Sequence, residues 1–374
     1  MASIFLEFGV LAVSLGVAGF YLTLCGDAIA EKTGLGGTWV GLAMMASVTS
    51  LPELVTGISA VRWVDSPNIA LGDAIGSCVF NLILLVLLDF LHREAPVFTR
   101  VSQGHILAAG FSIMLLGLVG FNILLNHHFS QLAIGHMGLA TPLIMLTYGI
   151  AVYTVFQYER KTLKEHTGEL AIRYAHISLR QAVGRYVMAA AVVVLIGLRL
   201  PMTAEHMATQ MSWGQTFVGT LFVAMATSLP EMAVTLSALR IGALDMAMSD
   251  IFGSNLFDLL IVAIDDMAYT KGPLLANAST MHLVSIQSAI MMTGIAIVGL
   301  LYRPKGRILR TVGWSSLMIL MLYATNMAVL YLSQGQSPLA HTSLNRGDQF
   351  PPGRWPEAVR PRICPPRKWA HASP

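Results

Sequence analysis

Apolar residues in this chain gather into long unbroken runs, not into the alternating or one-sided stripes of a water-soluble fold. Ten such runs fall near residues 4–28, 38–61, 68–91, 104–125, 137–156, 184–201, 214–239, 244–264, 281–302 and 308–332. At a helical rise of about 1.5 Å per residue, each is long enough to cross about 30 Å of hydrocarbon. The pattern therefore predicts an all-α polytopic membrane protein of about ten transmembrane helices. The first run starts almost at the initiator Met and is too long for a signal-peptide core, so it is expected to be kept as a true span. The longest polar stretch between runs, 157–183, separates five spans from five. Beyond residue 333 the chain turns to Pro, Arg, His and Ser, which cannot bury a core, so residues 334–374 are expected to form a disordered tail.

Composition agrees and adds sidedness. The chain is 55% hydrophobic and 11% charged over 374 residues, too few charges to coat a soluble protein of this size, which excludes a cytosolic enzyme or a nucleic-acid binder. With the N-terminus outside, 14 of the 23 Lys and Arg residues lie in cytoplasmic loops, among them Lys32, Arg93, Arg100, Arg240 and Arg303. Three (Arg62, Arg199 and Lys271) lie in outer loops and six in the tail. The positive-inside bias thus predicts N-out, C-out topology with 157–183 as a cytoplasmic linker. Three cysteines, two of them within apolar runs, give neither a disulfide framework nor a Cys-x-x-Cys metal spacing.

The two sets of five spans are related. At an offset of 178, residues 41–62 align with 219–240 with ten identities in 22 positions, including Thr49-Ser50-Leu51-Pro52-Glu53 over Thr227-Ser228-Leu229-Pro230-Glu231. At an offset of 177, Gly72-Asp73 through Asn81 lies over Ser249-Asp250 through Asp258. The predicted repeats are 1–156, with its specific motif at 41–84, and 184–333, with its motif at 219–261. They begin in the second and seventh spans, an odd number of crossings apart, and so should run in opposite senses. Two inverted five-helix repeats with broken helices at a polar site are an architecture of secondary transporters.

The repeated residues are oxygen donors. A proline inside a span removes a backbone donor, so Pro52 and Pro230 should free the carbonyls of Val48 and Ala226. Such irregular backbone is tolerated at membrane depth only where it packs in protein or lines a wet cavity. Thr49, Ser50 and Glu53 share one helical face, and Thr227, Ser228 and Glu231 repeat it. Ser77 and Asn81, like Ser254 and Asp258, sit four apart behind a glycine. Oxygen-only ligation suits Ca²⁺ or Na⁺ and disfavours zinc or copper. A buried carboxylate persists only where it meets a cation, a proton or a partner, so H⁺ should compete with the metal. Asp73 and Asp250, one turn before the serines, can be read as ligands, supporting acids or helix caps. A lone Glu beside a Pro is often only a satisfied kink; the string occurring twice in register is what argues for a site. The six histidines at 105, 127, 128, 136, 206 and 282 read as interfacial, and Asp65, Asp245, Asp265 and Asp266 as solvated span ends.

At these residues the chain resembles the prokaryotic sodium/calcium exchangers of the cation/calcium exchanger superfamily, whose two alpha repeats carry a Gly-Thr-Ser-x-Pro-Glu string followed by Gly-Ser-Asn-x-x-Asn or Asp. The resemblance implies Na⁺/Ca²⁺ antiport by alternating access in a multi-pass protein of a bacterial inner membrane, with Ca²⁺ and Na⁺ as cargo, no cofactor and no protein partner. It would place Ca²⁺ between Glu53 and Glu231 with the carbonyls of Thr49 and Thr227. Ser50, Ser77, Ser228, Ser254 and the carbonyls of Ala46 and Ala224 would complete flanking Na⁺ sites, with Asn81 and Asp258 near the centre. The chain departs from the pattern at Val48, at Cys78 in place of Asn, and at Asp73 and Asp250 in place of Asn. These two extra acids keep a Ca²⁺/H⁺ or Na⁺/H⁺ exchanger open as the alternative, with an intramembrane aspartyl protease using the same pair as a distant third. No nucleophile elbow, zinc-protease string or phosphate loop is present.

Overall fold

In hydrocarbon every backbone N–H and C=O must bond within its own segment, which leaves apolar runs of this length only the helix. That is the conformation they take in the structure, a computed structural model that describes residues 2–33, 47–128, 133–165, 177–304, 306–308 and 312–333. The helices are α1 (Ala2–Lys32), α2 (Leu51–Ser59, continued by a π turn over Ala60–Val64), α3 (Pro67–Leu91), α4 (His105–His128) and α5 (Ala140–Glu165) in the first half. The second half holds α6 (Leu179–Met211), α7 (Gln215–Thr227), α8 (Leu229–Arg240), α9 (Leu244–Ala268), α10 (His282–Tyr302) and α11 (Trp314–Leu332). Two small antiparallel hairpins, Ala133–Ile134 with Met137–Gly138 and Arg307–Ile308 with Val312–Gly313, precede α5 and α11.

Among the described residues eight helices are long and apolar enough to span a membrane, and α7 with α8, bent by 46°, forms a ninth broken span. Residues 38–46 of the expected second span lie outside the described residues, as do 166–176 of the linker and the 334–374 tail. Two expectations are corrected. The sixth span is not confined to 184–201: α6 continues through Pro201 to Met211, begins with a Ser178–Gln181 capping box, and carries Arg199 within the helix, paired to Glu7 of α1 at 3.0 Å, instead of in a loop. The last span starts at Trp314 because residues near 308 are taken by the hairpin.

Helices α3 and α9 form the centre: 72% of the most apolar window of each is buried, against 22% for α5 and 28% for α11. Because lipid removes the hydrophobic drive between helices, close approach depends on small residues. A Cβ on Gly76 of α3 would lie 2.6 Å from the Thr220 carbonyl of α7, and one on Gly72 would lie 3.0 Å from the Gly219 Cα. The long helices α1 and α6 use glycines spaced by the repeat offset, Gly19 against Pro230 and Gly197 against Val55.

The recurrence extends past the aligned motifs. Asp89, near the end of α3, accepts from the Val97 and Gly313 N–H groups at 3.0 and 2.7 Å and from Ser316 Oγ at 2.8 Å. Asp266, near the end of α9, accepts from the Leu274 and Gly138 N–H groups at 2.5 and 2.8 Å and from Thr141 Oγ1. Each carboxylate ties a central helix to the 3₁₀ turn eight residues on, to the hairpin before the outer helix, and to that helix's first turn. Polar contacts also join the loops expected to share a face: Lys271 to Asp65, Arg62 to Thr270 and the Ala268 carbonyl, Arg307 to the Arg93 and His92 carbonyls. Hydrogen bonding to Asp65 holds the Lys271 ammonium above the usual lysine range.

Candidate ion site

The two Thr-Ser-Leu-Pro-Glu strings adopt the same local geometry. Ser50 has φ −86° and ψ 15°, and Ser228 has φ −84° and ψ 12°, so the helix breaks at the serine, two residues ahead of the proline. Pro52 and Pro230 then occupy the first turn of the following helix, where the missing N–H removes no helical bond. The Ser50 and Ser228 carbonyls restart the ladder by accepting from the Leu54 and Met232 N–H groups at 3.2 Å each. The Ala224 carbonyl, implied as an ion ligand, accepts the Ser228 N–H at 3.0 Å and lies 3.2 Å from Thr227 Oγ1. Ala46 lies outside the described residues.

Across the break the halves exchange hydrogen bonds. Ser50 Oγ donates to Glu231 Oε1 at 3.1 Å, and Ser228 Oγ donates to Glu53 Oε1 at 3.1 Å. Ser77 Oγ reaches Glu53 Oε1 at 3.5 Å, Thr49 Oγ1 lies 3.3 Å from Ser254 Oγ, and Asn81 Nδ2 lies 3.5 Å from Asp258 Oδ2. Thr227 Oγ1 lies 2.8 Å from Asp73 Oδ1, so Asp73 touches the broken helix of the other half. Cys78 and its repeat counterpart Asn255 also meet, through Asn255 Nδ2 to the Cys78 carbonyl at 3.3 Å. All twelve of these Thr, Ser, Glu, Asp and Asn residues, with Asp250, are buried.

Burial leaves oxygens over. Glu53 Oε2, Glu231 Oε2, Asp73 Oδ2, Asn81 Oδ1, Asp258 Oδ1 and both oxygens of Asp250 have no hydrogen-bond partner. An unsatisfied buried polar atom costs about 1–3 kcal/mol and a charged one more, so a set this size requires cations or protons to offset it. Among the described residues no three His, Cys, Asp or Glu side chains converge on one point. The donor set is instead a mixture of hydroxyl, amide and carboxylate oxygen at the helix breaks, which suits hard cations and not a histidine- or thiolate-bound metal.

Some expected placements fail. Asp265 and Asp266 are not solvated span ends: both are buried, Asp266 by the three bonds described and Asp265 with both oxygens unpartnered. His282 is fully buried, with Nε2 3.2 Å from Asn68 Oδ1, and His105 is buried against Phe252 with Nε2 2.9 Å from Asp245 Oδ1. His282 is thus packed inside the bundle, whereas the buried His105 pairs with an Asp245 side chain that is 58% exposed at the start of α9. The Asp89–Asp266 pair was available in the sequence at the same offset of 177, eight residues beyond the aligned Asn81 and Asp258. Asp73 and Asp250 share no hydrogen bond, which leaves the protease reading without a dyad.

Comparison with known proteins agrees with this geometry. The chain is 25% identical over 263 residues to the inner membrane protein YrbG of Escherichia coli K12, covering 67% of this chain and 77% of that one. It is 24% identical over 346 residues to the sodium/calcium exchanger MaX1 of Methanosarcina acetivorans, covering 83% and 93%. Among solved structures it shares its fold with the sodium-calcium exchanger NCX_Mj soaked with Na⁺ and Sr²⁺ (TM-score 0.55, 22% identity, 88% of this chain and 99% of that one). Native YfkE is similar to the same degree (TM-score 0.56, 18% identity, 87% and 92%). The sequence profile described as sodium/calcium exchanger protein matches residues 3–158 and 182–332, nearly all of the described chain. With that match spanning both halves and the buried oxygen set at their junction, the chain belongs to the sodium/calcium exchanger protein family and is a multi-pass membrane cation antiporter, not an enzyme.

Proposed function

We propose that this protein exchanges Na⁺ for Ca²⁺ across a bacterial inner membrane by alternating access. The observation that carries the reading is the reciprocal pair of bonds, Ser50 to Glu231 and Ser228 to Glu53, which makes one site out of both halves. Ca²⁺ would take the free oxygens of Glu53 and Glu231 with the carbonyls of Thr49 and Thr227. Na⁺ would take Ser50, Ser77, Ser228, Ser254 and the carbonyls of Ala46 and Ala224, with Asn81 and Asp258 between. The same carboxylates would serve either cargo, so the ions compete and the bare anionic site does not cross. Coupling then follows from differential affinity of the two access states for loaded and empty carrier. The inverted repeats 1–156 and 184–333 would let the molecule open to each face by exchanging their conformations, with the stretch between α5 and α6 as a cytoplasmic linker. The name of MaX1 and the resemblance of the two repeats support Na⁺ and Ca²⁺ as cargo.

The deciding experiment is uptake of radiolabelled Ca²⁺ into proteoliposomes under Na⁺, H⁺ or K⁺ gradients imposed singly. Uptake that requires the Na⁺ gradient upholds the proposal. A second reading, Ca²⁺/H⁺ or Na⁺/H⁺ exchange, is favoured by the buried Asp73 and Asp250 beside the site, and flux that follows pH and ignores Na⁺ would select it.

A further inference from the structure

Beyond the central oxygen set, one carboxylate breaks the twofold correspondence of the halves. Asp265 in α9 is two turns past Asp258, fully buried, and neither of its oxygens has a hydrogen-bond partner. It lies against Gly57 of α2, one turn past Glu53: a Cβ at 57 would fall 2.4 and 2.7 Å from the two carboxylate oxygens. The missing side chain at 57 makes the room that the carboxylate occupies. At the repeat offsets of 178 and 177, Gly57 corresponds to Thr235 and Asp265 to Leu88. One half therefore sets a glycine against an acid, while the repeat-related positions of the other hold a hydroxyl and an aliphatic side chain. The charge is therefore present in one half only.

The position lies on a line from the site to the rim. Along α2, Gly57 falls between Glu53 and Arg62; along α9, Asp265 falls between Asp258 and Ala268. Arg62 Nη1 donates to the Ala268 carbonyl at 3.3 Å and lies 3.4 Å from Thr270 Oγ1, while Lys271 is paired to Asp65. Among the described residues the Arg62 guanidinium has no carboxylate partner and would oppose cation entry, and Asp265 lies three residues before Ala268 on the helix that Arg62 contacts. Its neighbour Asp266 is consumed by three hydrogen bonds and is not available to a passing ion.

Resting on the exchange reading above, we propose that the Asp265 carboxylate is a cation-binding station between the central site and the Arg62 rim, present on one face of the transporter and absent from the other. It would offer an entering Ca²⁺ or Na⁺ its first dehydrated oxygen ligands and offset the rim guanidinium. The repeat-related positions Leu88 and Thr235 carry no such carboxylate.

The test measures Ca²⁺ KM separately at the two faces in oriented vesicles, for wild type, Asp265→Asn and Gly57→Ala. Asp265→Asn keeps the volume and removes the charge; Gly57→Ala keeps the charge and displaces it. Both should raise Ca²⁺ KM about tenfold at one face, the lower end of the range over which a charged cleft concentrates its counter-ion, and leave KM at the other face and kcat unchanged. Unchanged KM at both faces, or an equal change at both, would overturn the station. If Asp265→Asn does not yield folded protein, Gly57→Ala with Asp265→Glu decides by the same criterion. Wild type that fails to exchange Na⁺ for Ca²⁺ would instead overturn the exchange reading, a result distinguishable from wild type that exchanges beside an unaltered Asp265→Asn.

Discussion

Ser50 of the first half donates its hydroxyl hydrogen to Glu231 of the second at 3.1 Å, across a junction 181 residues apart in sequence. The bond makes each glutamate depend on the opposite repeat for its orientation. Glu53→Gln and Glu231→Gln remove the charges proposed to hold Ca²⁺, and each should abolish Na⁺-driven Ca²⁺ uptake in proteoliposomes while the purified protein stays monodisperse. Normal exchange in both variants would refute the assignment of the site.

The serines should matter less than the acids, and equally. A hydrogen bond to a charged group contributes about 1.5–3 kcal/mol, so Ser50→Ala and Ser228→Ala should each raise the KM for Ca²⁺ by roughly one to two powers of ten. Because the two bonds are equivalent by repeat and by distance, a large effect in one variant and none in the other would show that the site is not shared evenly.

Asp73 is anchored to Thr227 across the halves, and Thr227→Val removes the donor with little change in shape. The expected result is a weakened site with a steeper dependence on pH, because an unanchored carboxylate in this environment is held only by cation or proton. The reading is the pH profile of Ca²⁺ uptake. A profile identical to wild type would mean that Asp73 is held by other contacts.

Gly76 admits the backbone of α7 at van der Waals distance. Gly76→Ala sets a Cβ 2.6 Å from the Thr220 carbonyl, so the helices must separate. Overpacking of this kind costs about 1–3 kcal/mol and should lower the detergent melting temperature as well as transport. Gly110→Ala serves as the control, since nothing lies within 4 Å of a Cβ there.

Asp89 and Asp266 each hold three donors at opposite ends of the bundle. Asp89→Asn and Asp266→Asn keep the shape but turn an acceptor-only group into one with two N–H donors, leaving at least one backbone N–H unsatisfied. Both should destabilise the protein by about 2–4 kcal/mol, read as a lower melting temperature, with cation KM unchanged. A change in KM without loss of stability would move these acids from scaffold to transport path.

Sequence alone determined the class of the molecule. Apolar runs of span length leave no structure but the helix in lipid, and two copies of one polar string in register announce a duplicated site. It also set which residues share a helical face, because Thr49, Ser50, Glu53 and their counterparts recur at fixed helical spacing. What it could not supply were contacts made by bringing distant helices together. The break falls at Ser50 and Ser228, not at the prolines, because a proline is comfortable in a helix's first turn and the chain turns just ahead of it. Asp265 and Asp266 looked like solvated ends because polar residues at a span boundary usually meet water. Tertiary packing buried both, one in a ring of donors and the other against a glycine four residues past Glu53. A sequence records the volume and charge of each side chain; whether a carboxylate meets water, a backbone N–H or an ion is decided by what the fold packs against it.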